Sequence, residues 1–239
     1  MISNWHSMII ASLAGIPAIT KPEEDGAEEH VVLLHGLGRT ARSMSVIGWA
    51  LEQEGYRVVN IGYPSTKGSI SALADRAISK AVNLCGDAHR VHFVTHSMGG
   101  ILLRHWMNEN ALPQAGRAVM LGPPNGGSEI VDAFCDWRSF RLLHGPAGRE
   151  LTTREDRGPR RLSCCAPLET GIIAGTRSLN PLTSAFIRGA NDGKVSVESA
   201  FSMPAQARLA LPVSHTWMML DQEVIAQTAR FLRTGGFSN

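Results

Sequence analysis

Three side chains, Ser97, Asp192 and His215, have the types and the chain order that nucleophilic catalysis by a serine needs. Ser97 lies in RVHFVTHSMGGILLR, residues 90–104, where strand-type residues lead through His96-Ser97-Met98-Gly99-Gly100 into an apolar helical stretch. A serine on so sharp a strand-to-helix turn holds its hydroxyl clear of the sheet. The N–H of the next residue then faces any oxyanion that forms on an attacked carbonyl. Small residues must follow, because a side chain there would strike the neighbouring strand, and Gly99 and Gly100 meet that need. Thr95 stands where such a turn has its first glycine, and a β-branched side chain demands more room.

A serine hydroxyl is barely ionised at neutral pH, so Ser97 needs a base in hydrogen-bond reach and a third group to orient that base. Of the nine histidines, His215 falls between the last strand candidate and the final helix, where a side chain can swing over strand ends. Read plainly, it is a loop histidine at a helix start. The orienting acid is expected between the two in sequence. Asp192 sits in Gly189-Ala190-Asn191-Asp192-Gly193-Lys194-Val195, a tight turn able to present a carboxylate, although Asp-Gly is also an ordinary turn pair. Asp221 is the nearest rival but is better placed to cap the last helix, and Asp132 falls in an insertion. A tetrahedral oxyanion needs two fixed donors, here the N–H groups of Met98 and of Leu37 in His35-Gly36-Leu37-Gly38. His35 and His96 are expected to pack and hydrogen-bond beside the site. Trp217, Met218 and the insertion aromatics Phe134 and Trp137 are substrate-binding candidates, with core packing as the competing role.

These groups must be positioned by strands and helices in alternation. Apolar runs at Val31–Leu34, Arg57–Ile61, Val91–Thr95, Ala118–Leu121 and Gly171–Ala174 suit strands buried on both faces, and Arg208–Val213 is a weaker sixth. Helices are expected over Ser43–Glu54, closed by Gly55, and over Gly99–Asn108. From Ile70 the apolar positions Leu73, Ala74, Ala77, Ile78, Ala81 and Val82 fall on one helical face, and Gly86 ends it. Val224–Leu232 closes the chain, with Asp221 as N-cap and Gly235 past its end. The pattern predicts an α/β fold with a mostly parallel sheet covered by helices on both faces, and reactive groups at the carboxyl ends of the strands. Residues 123–169 are too long for a simple connection. Ile130, Phe134 and Trp137 share a helical face there, fitting a small cap, while Arg149–Arg161 reads as charged, solvated and mobile.

At 239 residues and 44% hydrophobic, the chain is expected to form one domain. Lys and Arg number 23 against 21 Asp and Glu, a balance that argues against nucleic acid as a partner. No apolar run reaches the ~20 residues that span a bilayer, so membrane contact is limited to transient engagement of a lipid interface. Met8–Ile19 has the length of a secretory core segment, but Met1–Ser7 contains no Lys or Arg. It is therefore read as mature structure against the sheet; this favours the cytoplasm, with a periplasmic or secreted location left open. Cys85, Cys135, Cys164 and Cys165 have no C-x-x-C spacing, so no metal is expected, and thiols and a disulfide stay open. No cofactor is called for. The sequence sets no oligomeric state.

On these motifs the chain resembles the α/β-hydrolase superfamily, and within it bacterial lipases and esterases of the true-lipase type. His35-Gly36-Leu37-Gly38 is similar to their H-G-L-G oxyanion segment, and His96–Gly100 to their H-S-M/Q-G-G turn. Asn191–Ser196 is similar to the N-D-G-x-V-S segment that carries their acid, and Gly122–Ser128 to the T-P-x-x-G-S turn after the following strand. The resemblance implies an α/β-hydrolase fold with a small cap. It also implies ester hydrolysis on a small-molecule or lipid ester, with Ser97, Asp192 and His215 as the triad. An acyltransferase or thioesterase would use the same acyl-enzyme, and a ligand-binding protein with an idle triad is a third class.

Overall fold

The structure is a computed structural model that describes residues 28–163, 165, 167–179 and 181–238. The segment Met8–Ile19 and Cys164 lie outside the described residues. The strands β1 (Glu29–Leu34), β2 (Arg57–Ile61), β3 (Arg90–His96), β4 (Ala115–Leu121), β5 (Glu169–Gly175) and β6 (Ala207–Leu211) form one sheet in the order β2-β1-β3-β4-β5-β6. Every adjacent pair is parallel. β6 stops at Leu211, short of the expected Val213, because Pro212 follows and cannot donate to a ladder.

The apolar runs are continuous because both faces of the sheet are covered, and successive side chains go to opposite sides. Val32, Leu34, Phe93, Ala118, Met120 and Ile172 enter one core layer, under the helices α2 (Ile70–Cys85) and α3 (Met98–Glu109). Val31, Leu33, Val94, Val119, Leu121 and Ile173 enter the other, under α1 (Ser45–Gln53). In the expected 43–54 helix, the first turn is 3-10 over Ala41–Met44. On α2 the buried positions Leu73, Ala74, Ala77, Ile78 and Ala81 follow the one-sided stripe, and Ser69 Oγ caps its start by accepting from Ala72 N–H.

The connection from β4 to β5 carries the short helix α4 (Glu129–Phe134) and α5 (Arg138–Glu150). Phe134 ends α4 and Trp137 precedes α5, so the single helical face expected for Ile130, Phe134 and Trp137 is broken at Cys135. α5 is itself kinked at Gly145, whose φ of +64° suits a residue without Cβ. A Cβ there would overlap the Thr66 carbonyl oxygen, and one residue past the adjacent Pro146 the Ala147 N–H donates to Gly68 O at 3.0 Å. The charged stretch 149–161 is tied down rather than free of the body. The Asp132 carboxylate accepts from the hydroxyls of Thr152 and Thr153, Arg160 donates to Gly126 O at 3.1 Å, and Leu151, Thr152 and Pro159 are buried. From below, the buried Arg104 of α3 donates to Ser163 O, Leu162 O and Asn125, tying the insertion to the helix that follows Ser97.

The two remaining single turns, α6 (Pro181–Ser184) and α7 (Val197–Ala200), flank the Asn191–Lys194 turn. The last helix, α8 (Gln222–Thr234), covers the same face as α1. Its N-cap is Asp221, which accepts from Glu223 and Val224 N–H, and Gly235 follows in the left-handed conformation. Cys85 and Cys135 carry free thiols.

Candidate active site

The chain leaves β1 to one side and returns for β3 on the other, so the crevice between their carboxyl ends is where such a sheet binds ligands. Ser97 sits there, between β3 and α3. Among the described residues it is the one non-glycine residue with positive φ, at +55°. That conformation costs about 1–3 kcal/mol and survives only where the surroundings impose it. The Ser97 N–H donates to Leu121 O at 2.8 Å, and Ser97 O accepts from Gly100 N–H at 3.0 Å. A Cβ on Gly99 would lie 2.6 Å from Leu34 O, so the helix can approach β1 this closely only at a glycine.

Ser97, Asp192 and His215 come from the connections that follow β3, β5 and β6 and meet in one line. His215 Nε2 is 2.9 Å from Ser97 Oγ, and His215 Nδ1 is 2.7 Å from Asp192 Oδ2. An ionised carboxylate only accepts, so Nδ1 carries the proton and the Nε2 lone pair faces the serine hydroxyl. Asp192 is fixed on all sides. Its Oδ1 accepts from Lys194 N–H at 3.0 Å and Val195 N–H at 2.8 Å, and its carbonyl accepts from His215 N–H at 3.1 Å. Asn191 closes the turn by accepting from Gly193 N–H, while Ser184 and Thr183 of α6 brace it.

His35 and His96 hold the frame. Tyr63 N–H donates to His35 Nε2 at 3.3 Å, so Nδ1 bears the proton and donates to Gly36 O at 2.9 Å. The Tyr63 ring stacks on His35 at 4.0 Å, and its hydroxyl donates to His35 O. Gly38 N–H donates to Ser65 Oγ at 3.0 Å. These bonds hold the segment on both sides of Leu37, a residue that lines the same cavity as Ser97. The Met98 N–H is the first of α3 and has no intrahelical acceptor. His96 Nε2 donates to His215 O at 2.9 Å and so steadies the base from behind. Burial and the neighbouring His215 hold the His96 pKa well below the ordinary histidine value, so its ring is neutral. His35 and His96 take the hydrogen-bonding places expected of them, whereas Tyr63 and Ser65 carry no signal in the sequence.

Residues 31–229 match the family model described as the alpha/beta hydrolase family. The chain belongs to the alpha/beta hydrolase family. Among solved structures it is similar to the mature form of the Bacillus licheniformis lipase BlEst2, at 20% identity and a TM-score of 0.67 over 90% of this chain and 96% of that one. The Listeria innocua lin2722 product is similar at 20% identity and a TM-score of 0.59, over 89% and 96%. A metagenomic carboxyl esterase, MGS0156, is similar at 18% identity and a TM-score of 0.65, over 84% and 68%. No curated protein matches the chain.

In this hydrolase Ser97, Asp192 and His215 open onto a cavity of about 430 Å³. Its apolar lining is formed by Ile130, Val131, Phe134, Phe140 and Leu151 of the β4–β5 insertion and by Leu179. Arg39, Lys194, Ser214 and Thr216 also line it. Of the four proposed substrate contacts, Phe134 lines this cavity. Trp137 packs edge-on against Phe134 at 4.9 Å but is 60% exposed and outside the lining. Trp217 is 54% exposed, and Met218 is fully buried in the core layer beneath Gly122. The 3-10 turn Met218–Leu220 swings both away from the cavity, a reversal that residue types do not encode.

Proposed function

We propose that the protein hydrolyses carboxylic esters through an acyl-enzyme on Ser97. The observation that carries this reading is the unbroken line Ser97 Oγ, His215 Nε2, His215 Nδ1, Asp192 Oδ2, with both contacts under 3 Å. In it, His215 removes the proton of Ser97 as the oxygen attacks the ester carbonyl. The negative charge that moves onto the carbonyl oxygen is met by the N–H groups of Leu37 and Met98, donors worth a few kcal/mol of barrier each. The tetrahedral intermediate expels the alcohol, which takes its proton from His215. Water then repeats the sequence on the acyl-enzyme, giving the acid and restoring Ser97. Asp192 fixes the tautomer of His215 and stabilises the imidazolium that forms twice per turnover.

Supporting the ester as substrate is the cavity, with an apolar wall for an acyl chain beside the nucleophile. The lipase and carboxyl esterase among its structural relatives agree with it. The test is Ser97→Ala, assayed with p-nitrophenyl butyrate and a fluorophosphonate label. Turnover and labelling should both vanish, and a variant that keeps the parent rate overturns the reading.

A further inference from the structure

Two cationic side chains, Arg39 and Lys194, line the cavity around Ser97, and Asp192 is its one carboxylate among the described residues. That carboxylate is committed: Oδ2 accepts from His215, and Oδ1 from two backbone N–H groups. Among the described residues neither cation forms an ion pair, and Asp192, already committed to His215, is the carboxylate whose charge favours the Lys194 ammonium. Arg39 spends one N–H on the Thr216 carbonyl at 3.2 Å and keeps the rest of its fork. The pocket walls desolvate the Lys194 ammonium and Arg39 repels it, both pressing its pKa below the ordinary lysine value. Lys194 is exposed and Arg39 half-buried, so both are open to an anion from solvent, which would relieve the repulsion between the two like charges.

Their position decides which part of a substrate they meet. The leaving oxygen must sit beside His215 Nε2 to receive its proton. Arg39 is bonded to the residue after His215, and Lys194 follows Asp192 by two. Both act on His96, whose ring centre is 4.8 Å from that of His215. The Thr216 bond holds the Arg39 fork next to His215, on the leaving-group side, and the Lys194 charge, which also reaches His144 of α5, extends positive potential from there across the cavity.

We infer that Arg39 and Lys194 select esters whose leaving alcohol bears an anionic group, a phosphate or a carboxylate, an inference that rests on the esterase reading above. Arg39 offers the planar fork that matches such an oxyanion, and Lys194 a point charge beside it. An uncharged leaving group would leave both cations facing it unpaired.

The test compares 4-carboxyphenyl butyrate with its methyl ester, each kcat/KM normalised to that ester's rate with hydroxide. The parent protein should favour the carboxylate by about tenfold. The preference should shrink toward one as salt rises to about 1 M. Arg39→Gln and Lys194→Gln should each cut the ratio several-fold, and Lys194→Glu should invert it. Both substrates report on the same active molecules, so partial misfolding of a variant cancels. A ratio at or below one, or one that neither glutamine variant moves, in a protein whose Ser97 is labelled by fluorophosphonate overturns this inference and leaves the esterase standing. Loss of labelling and of turnover in the parent protein overturns both. A phosphate-bearing butyrate ester assayed in parallel shows which anion is preferred, and equal indifference to both anions counts against the inference.

Discussion

The Thr95 side chain occupies the space that Gly100 leaves open: a Cβ built on Gly100 would lie 3.2 Å from Thr95 Oγ1. Thr95 is fully buried, paired between Leu34 of β1 and Met120 of β4, and its hydroxyl has no hydrogen-bond partner among the described residues. The room that a first glycine would give the turn is provided across the interface, by α3. Gly100→Ala should therefore destabilise the protein by about 1–3 kcal/mol. Adding Thr95→Gly should recover part of that loss, since Pro123 Cβ stands equally close to Gly100. A double-mutant cycle in urea checks the coupling, and additive losses would show that the two positions do not share this space.

Thr95→Val removes the unpartnered hydroxyl and keeps the shape. The change should be neutral or stabilising by up to about 1 kcal/mol, since a buried hydroxyl without a partner carries an unreturned desolvation cost. Thermal unfolding measures it, and a marked loss of stability would point to a partner for the hydroxyl.

Asp192→Asn keeps the side-chain volume and removes the charge that sets the His215 tautomer. Activity toward p-nitrophenyl butyrate should fall about 10³–10⁴-fold, with a much smaller change in KM. Unfolding should shift little, because the two backbone N–H groups bonded to Oδ1 can still meet the amide oxygen. A variant within tenfold of the parent would remove Asp192 from the chemistry.

Stability should fall in mild acid. Burial holds the pKa of His35 below the ordinary histidine value near 6.5, and burial aided by His215 does the same to His96. Below pH ~6.5 the unfolded chain therefore binds protons that the folded chain refuses. The stability contributed by the two neutral rings is complete above that pH and is lost as pH falls toward their depressed folded values. The slope approaches about 1.4 kcal/mol per pH unit for each histidine. Melting temperature against pH measures this, and His96→Asn should make the curve shallower below pH ~6.5.

Asp132 ties residues 152 and 153 to α4 through three donors, the hydroxyls of Thr152 and Thr153 and the Thr153 N–H. Asp132→Ala should speed hydrogen exchange and proteolysis within 149–161 while the sheet stays protected. Equal protection in parent and variant would show that burial of Leu151 and Pro159 holds the segment by itself.

Much of the fold was readable along the chain because each strand buries both faces and each helix buries one. Val31–Leu34 and Ala118–Leu121 had to be unbroken apolar runs, and α2 had to carry a stripe. The turns that present Ser97 and Asp192 were equally legible, since Gly99, Asn191, Gly193 and their neighbours specify them, while the catalytic roles of these two and His215 are what is proposed above. Alternation with helices made the sheet parallel, and its order β2-β1-β3-β4-β5-β6, a tertiary fact, brings residues 97, 192 and 215 to one end. What the chain's residue types left open were directions set by distant partners. Whether Trp217 and Met218 faced the cavity depended on a 3-10 turn packed against α1 and α8. Whether 149–161 was loose depended on Asp132 finding donors and Arg160 an acceptor far along the chain. That Arg39 and Lys194, 155 positions apart, line one cavity was decided by tertiary structure alone. Local sequence fixes short-range backbone geometry, and only the packed sheet decides which side chains share a space.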